Sequence, residues 1–259
     1  MPRPNDTRPE GSRSNDDCLH SFLASLDAFE VADAACGGGE FTELLIEHLS
    51  GFHRLVGFDP EKESLDEARF LIDDRRVHFK LASIEEVALP ERQFDLVSIS
   101  NALHHIEHPR AALKRLYELV HAHGFLLIHE MIADGLSMAE RNYRDFHHLK
   151  AAVDRLRGVI HNPTFTRDAL RRLLLESLSV ARPAEIALDC VVFSRPETDE
   201  SVWARLAFIE EYVSRVTDRG AREKFEAEVG ELRSRVLVDG FQTPPRAVIA
   251  LGRSPEPSG

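Results

Sequence analysis

Basic residues are in short supply. The 259-residue chain has 32 lysines and arginines against 44 aspartates and glutamates, a formal net charge of -12. A surface that neutralises a phosphate backbone needs a basic face, so no nucleic-acid partner is expected. Cysteine is scarce as well. Cys18, Cys36 and Cys190 have neither the short spacing of metal ligands nor the density of a disulfide framework, and the expectation is a reducing, cytoplasmic setting without disulfides. No apolar run approaches the roughly 20 residues of a membrane-spanning helix, and the N-terminus lacks the apolar stretch of a secretion signal. No internal repeat is found. The length suits one sizeable core rather than two.

What the chain does have is a stretch around which the rest is organised. Val31-Ala32-Asp33-Ala34-Ala35-Cys36-Gly37-Gly38-Gly39-Glu40-Phe41-Thr42 is a short apolar run ending in an acid, then a loop of small residues, then the start of an apolar-periodic segment. That is a strand, a tight turn and a helix N-terminus, which lets a nucleotide approach backbone N–H groups closely. A second apolar run, Leu55-Val56-Gly57-Phe58-Asp59-Pro60, again ends in a carboxylate. An acid at the end of the second strand is placed to accept hydrogen bonds from both ribose hydroxyls.

Strand and helix patterns alternate from Phe29 onward, implying a parallel sheet covered by helices. Residues 1–17 are polar and rich in Pro, Gly and Ser, and read as a disordered tail ahead of one domain over 18–259. A helical segment from Cys18 to Leu26 leads into the core. Helices follow at Phe41–Leu49, then from an Asp59 N-cap with Pro60 in the first position, then from Pro109 to about His123-Gly124. Strands three to five fall at 77–81, 94–100 and 125–129. A long amphipathic helix is predicted over 138–160, within a helical lid region of 136–178, with Thr166 capping the leucine-rich helix that ends it. Residues 179–193 read as a sixth strand and 246–251 as an antiparallel seventh. Between these lies an inserted helical hairpin over 198–240, turning at Asp218-Arg219-Gly220. Its two apolar stripes must pack on the domain as a cap or meet a second copy in a homodimer. Residues beyond Arg253 read as disordered.

The run from Asp33 to about His129 resembles the Rossmann-type (class I) S-adenosylmethionine (SAM)-dependent methyltransferases, especially the branch that includes quinone-biosynthesis enzymes. Their first motif reads acid-x-Gly-x-Gly-x-Gly, and Asp33, Ala35, Gly37 and Gly39 stand at those places, with Ala35 for the first glycine. A dehydrogenase fingerprint, Gly-x-Gly-x-x-Gly, would put its last glycine at Thr42. The resemblance implies an α/β fold with a doubly wound, mostly parallel seven-stranded sheet and an antiparallel last strand. It implies SAM as cofactor, held by Asp33, Ala35, Cys36, Gly37, Gly38, Gly39, Thr42, Asp59, Pro60, Ser83, Ile84, Asn101 and His105. Ser83 and Ile84 replace the acid and cover residue that close over the adenine in the family. The Ser100-Asn101-Ala102-Leu103-His104-His105 segment would face the methionine half.

The implied activity is methyl transfer to a small-molecule acceptor. If that acceptor arrives protonated, His104, His105, His148 and Tyr143 are the candidate bases. Arg141, Arg144 and His148 form one stripe of the 138–160 helix, which is either a solvated face or the inner side of a lid that binds the acceptor. Two adjacent histidines without spaced Cys, Asp or His partners do not make a metal site, and no metal is expected. A SAM-binding protein without catalysis is the alternative from another class, and a nucleotide-dependent oxidoreductase is disfavoured by the glycine spacing.

Overall fold

The computed structural model describes residues 16–178, 185–194 and 197–254. Residues 1–15 and 255–259, expected to be disordered, and the first part of the sixth-strand segment, 179–184, lie outside the described residues.

Seven strands form one sheet in the order β3-β2-β1-β4-β5-β7-β6. These are β1 (Glu30–Ala34), β2 (Arg54–Asp59), β3 (Val77–Leu81), β4 (Phe94–Ser100), β5 (Val120–Met131), β6 (Glu185–Val192) and β7 (Arg246–Gly252). The first five pair in parallel, and β7 runs antiparallel between β5 and β6. The order reverses beside β1, so ligand space opens beyond the carboxyl ends of β1 and β4.

Alternation within the strands sends residues to two apolar layers. Val56, Phe58, Val97, Ile99, Leu126 and Ile128 face α4 (Pro109–Leu119) and α6 (Arg167–Leu178). Leu55, Leu96, Leu127, Val248 and Ala250 face α1 (Asp16–Ala24) and α2 (Glu40–His48). The remaining helix of this half is α3 (Lys62–Leu71). It does not open at Asp59-Pro60 as the N-cap signal suggested. Asp59 is the last residue of β2 and turns its carboxylate to the loop, accepting from the Glu61 amide at 2.8 Å, so the helix starts three residues later. Likewise α4 ends at Leu119, not near His123, because Val120 already pairs with Phe94 in the sheet.

A third apolar cluster lies apart from the sheet. α5 (Met138–Leu156) contributes Phe146, Leu149 and Val153. α7 (Asp199–Ser214) adds Leu206, Ile209 and Val213, and α8 (Arg219–Asp239) adds Phe225, Val229, Leu232 and Val236. Most of both stripes is therefore covered within the chain, by each other and by α5, while Trp203 and Phe208 stay exposed. The hairpin is a cap. α5 opens with a capping box, in which Glu140 Oε2 accepts from the Ser137 amide at 2.7 Å and Ser137 Oγ accepts from the Glu140 amide at 3.4 Å. It ends four residues before the predicted stop.

One expectation about chemistry at a distance is overturned here. Cys18 on α1 and Cys190 on β6, 172 residues apart, form a disulfide; spacing along a sequence carries no sign of a pairing made by tertiary folding. No described helix is long and apolar enough to cross a membrane.

Candidate functional site

The loop from β1 to α2 is built on left-handed backbone. Ala35, Gly37 and Gly39 have φ of +50°, +52° and +93°. A Cβ on Gly37 would meet nothing within 4 Å, so its side is open cleft, and a side chain there would take space from a ligand rather than from the protein. At Gly39 a Cβ would stand 3.1 Å from Ala68 Cβ, so this glycine lets the start of α2 lie against α3. No side chain caps that start, and its N–H groups face outward from the loop.

Two carboxylates flank the loop. Asp59 Oδ2 accepts from the Gly37 amide at 3.0 Å and Oδ1 from the Glu61 amide at 2.8 Å. Each oxygen keeps a further lone pair, an arrangement suited to two adjacent hydroxyls. Asp33 is buried, with Oδ2 accepting from the Thr42 hydroxyl at 2.6 Å and Oδ1 from the Ser98 hydroxyl at 2.8 Å. Burial pushes its carboxyl up to about 6, although both hydroxyls pull the other way. Cys36 is free, and burial together with Asp33 pushes its thiol up, away from a thiolate nucleophile.

Above the loop lies a cleft of about 1410 Å³, more than the roughly 300–1,000 Å³ of a single small-ligand pocket. Asp33, Ala35, Cys36, Gly37, Asp59, Pro60, Ser83, Ile84, Asn101 and His105 all line it. Gly38, Gly39 and Thr42 do not. They stand behind the loop, Thr42 because its hydroxyl is spent on Asp33. The Ser83 hydroxyl is also engaged, accepting from the Glu86 amide at 3.3 Å, while the neighbouring Glu85 lines the cleft.

The far end of the cleft holds residues that sequence reasoning missed. His129 closes it, bonded through Nδ1 to Ser100 Oγ at 2.8 Å and stacked on Phe41; burial holds its pKa down to about 3, a neutral ring. Arg246 reaches in from β7, donating to Asn101 Oδ1 at 3.1 Å and Ser194 Oγ at 2.6 Å. Asn101 itself has φ +47° and donates its amide to the His129 carbonyl at 2.8 Å. Nothing local in the sequence ties Arg246 to Asn101, 145 positions away.

The predicted lid residues are placed elsewhere. Arg144 is bonded to Asp145 Oδ1 at 2.7 Å, Arg141 is exposed beside Met138, and His148 Nε2 sits 3.0 Å from Thr164 Oγ1. None of the three lines the cleft. Arg144 and His148 are half-buried against the segments that flank α5, Arg144 also reaching the Ala133 carbonyl at 3.5 Å. Tyr143 faces a second cavity of about 490 Å³ between α5, α7 and His105, with Phe146, His147, Lys150, His161 and Arg205. His105 belongs to the walls of both cavities, and loss of surrounding water, reinforced by His104, holds its pKa down to about 3. His104 is buried beneath it. The histidine partners absent from the local sequence are supplied by the fold, because His147 on α5 and His161 in the loop after it pack against His104 and His105.

Known proteins share this construction. Residues 32–128 match a family described as methyltransferase domain. Those residues form a class I methyltransferase domain. The cofactor of such a domain is SAM, and the open side of Gly37 together with the unspent lone pairs of Asp59 fits a nucleoside there. An uncharacterised methyltransferase of Schizosaccharomyces pombe is 26% identical over 80% of this chain and 74% of its own. A tRNA U34 carboxymethyltransferase of Helicobacter pylori is 29% identical over 40% of this chain; the match spans 41% of that relative's length. Among solved structures, a Bacillus halodurans protein described as a candidate methyltransferase superposes with a TM-score of 0.59 at 17% identity, covering 92% of this chain and 98% of its own. The matched residues run from β1 to β5, whereas β6, β7 and the helical cap lie beyond them.

Proposed function

We propose that the protein transfers a methyl group from SAM to a small molecule bound at the end of the cleft beside His129 and Arg246. The observation that carries this reading is the continuity of the cleft. One cavity runs from the Gly37–Asp59 cradle past His105 to Arg246, with space for a nucleoside and a second molecule in line. When bound, SAM supplies a methyl group on a sulfonium, already an excellent leaving group. The residues of the chain therefore need to align two reactants and exclude water rather than activate the donor. Asp59 fixes the ribose end. His129, His105 and Ile160 wall the acceptor end, and Arg246 offers it a positive charge. We assign to Arg246 the pairing with an anionic acceptor group that the sequence had suggested for Arg141 or Arg144.

The net charge of -12 and the enclosure of the acceptor end favour a small molecule. The Helicobacter relatives make tRNA the reading to test against it. Calorimetry should show binding of SAM and its demethylated product but not NAD, and Asp59→Ala should weaken SAM by about 1.5–3 kcal/mol. Methyl transfer is then assayed on anionic small molecules and on bulk tRNA. Transfer to tRNA alone would overturn the small-molecule reading, and SAM binding without transfer to either would favour a non-catalytic binding protein.

A further inference from the structure

His104 and His161 each have one ring nitrogen fixed by a carboxylate. His104 Nδ1 lies 2.9 Å from Glu130 Oε1, and the same carboxylate accepts from the Leu103 and Met131 amides at 2.9 and 3.0 Å. His161 Nδ1 lies 2.6 Å from Asp154 Oδ2, which also accepts from Lys150 at 2.7 Å. A carboxylate with these donors can only accept, so in both rings Nδ1 carries the hydrogen and Nε2 is a lone pair. His104 Nε2 is buried with no hydrogen-bond partner among the described residues. A buried acceptor without a donor is unfavourable, and a ligand on that lone pair would offset the loss.

The third ring is His105. Ligand atoms of His104, His105 and His161 all lie within 4.8 Å of one another. Three such atoms stand at most about 2.8 Å from a common point, against roughly 2.0–2.1 Å for a zinc–imidazole bond. Side-chain shifts below about 1 Å close the shell, a small rotation for an imidazole. The arrangement has the outer partners that orient metal-binding histidines, a carboxylate behind each of two rings. Imidazole donors suit zinc and its neighbours in the first transition row rather than magnesium or calcium.

We infer that His104, His105 and His161 bind a divalent transition-metal ion of the zinc class, with an open coordination position facing the cleft. His105 marks that open side, being exposed where the other two are buried. His147 Nε2, 3.0 Å from His161 Nε2, donates to that lone pair when no metal is present and is displaced when one binds, so it is a neighbour and not a ligand. Three protein ligands and one vacancy is the pattern of sites that bind a substrate or water rather than of closed structural sites. Taken with the proposed methyl transfer, on which this part rests, the site narrows the acceptor to a molecule with an oxygen, nitrogen or sulfur atom that can fill the vacancy. An alcohol or thiol held there would be acidified by the ion and release its proton to solvent through the cleft mouth.

The test is made on the full chain, stripped with chelator and titrated with Co²⁺, whose visible absorption reports tetrahedral imidazole ligation, and with Zn²⁺ in competition. One ion per chain is expected. His105→Ala, at an exposed position that should not disturb folding, and His161→Gln should each weaken the ion by tenfold or more. His147→Ala should retain it, and Glu130→Gln should lose roughly 10–100-fold in affinity. SAM affinity is measured on the same His161→Gln sample and should be unchanged. No cobalt spectrum with intact SAM binding overturns the metal site and leaves the methyltransferase reading standing. Cobalt bound equally by wild type and His105→Ala, or lost with His147→Ala, overturns the assigned ligands. Metal binding without SAM binding would instead sink the proposed function.

Discussion

Asp33 shows what one residue does in this loop. Its carboxyl is pushed from an ordinary 3.8 up to about 6 by burial, so between these values the folded protein holds a proton that the unfolded chain has released. Stability from that proton is complete below about pH 4 and is lost as pH rises through about 6. Asp33→Asn, which mimics the protonated form, should therefore match wild type near pH 4 and be relatively more stable at pH 8, by up to about 3 kcal/mol for a shift of this size. Urea unfolding of both proteins at several pH values measures it, and a difference that stays flat with pH would show that Asp33 does not titrate in this range. Residue identity was only part of what the sequence revealed here. Ala35 stands where the family has glycine, yet keeps a glycine-like φ of +50°. A left-handed alanine costs on the order of 1–2 kcal/mol, so the backbone path is retained at a cost that the residue type alone does not disclose.

At the scale of elements, helical periodicity located α5, α7 and α8, and what it could not say was which faces would meet. Leu206, Leu232 and Val153 are buried because three stripes converge, a fact about packing and not about any one stripe. The same packing decides where the basic stripe of α5 finds its partners. Its Arg144 found Asp145 next door, and Arg235 of α8 reaches the same carboxylate at 3.0 Å, tying two cap helices together at the surface. Leu206→Ala should destabilise the cap by about 2–5 kcal/mol. Hydrogen exchange is expected to quicken across α5, α7 and α8 while amides of β1, β2 and β4 keep their protection, since the cap has its own apolar cluster. Equal acceleration in cap and sheet would mean that the two open as one unit.

For the molecule as a whole, the strands and the cofactor loop were legible because each is a local pattern: alternation, an acid at a strand end, small residues at a turn. The disulfide, the Arg246 contact and the histidine cluster were not, since each joins segments that only the fold brings together. The Cys18–Cys190 link fastens α1 to the outermost strand, and α1 contributes Leu19 and His20 to the cleft. Cys190→Ser should lower stability by about 2–5 kcal/mol and weaken SAM, as read by thermal unfolding with and without ligand; three free thiols in the mass spectrum of native protein, rather than that of Cys36 alone, would remove the premise. A last consequence concerns synthesis. Among the described residues β6 has only β7 for a neighbour, and β7 is made more than fifty residues later, after both hairpin helices. Until the final strand leaves the ribosome and slides between β5 and β6, a nascent chain exposes two unpaired sheet edges, the surfaces most prone to capture by other chains. Arg246 arrives with that strand, so the growing polypeptide can assemble a nucleoside cradle well before it owns the charge at the other end.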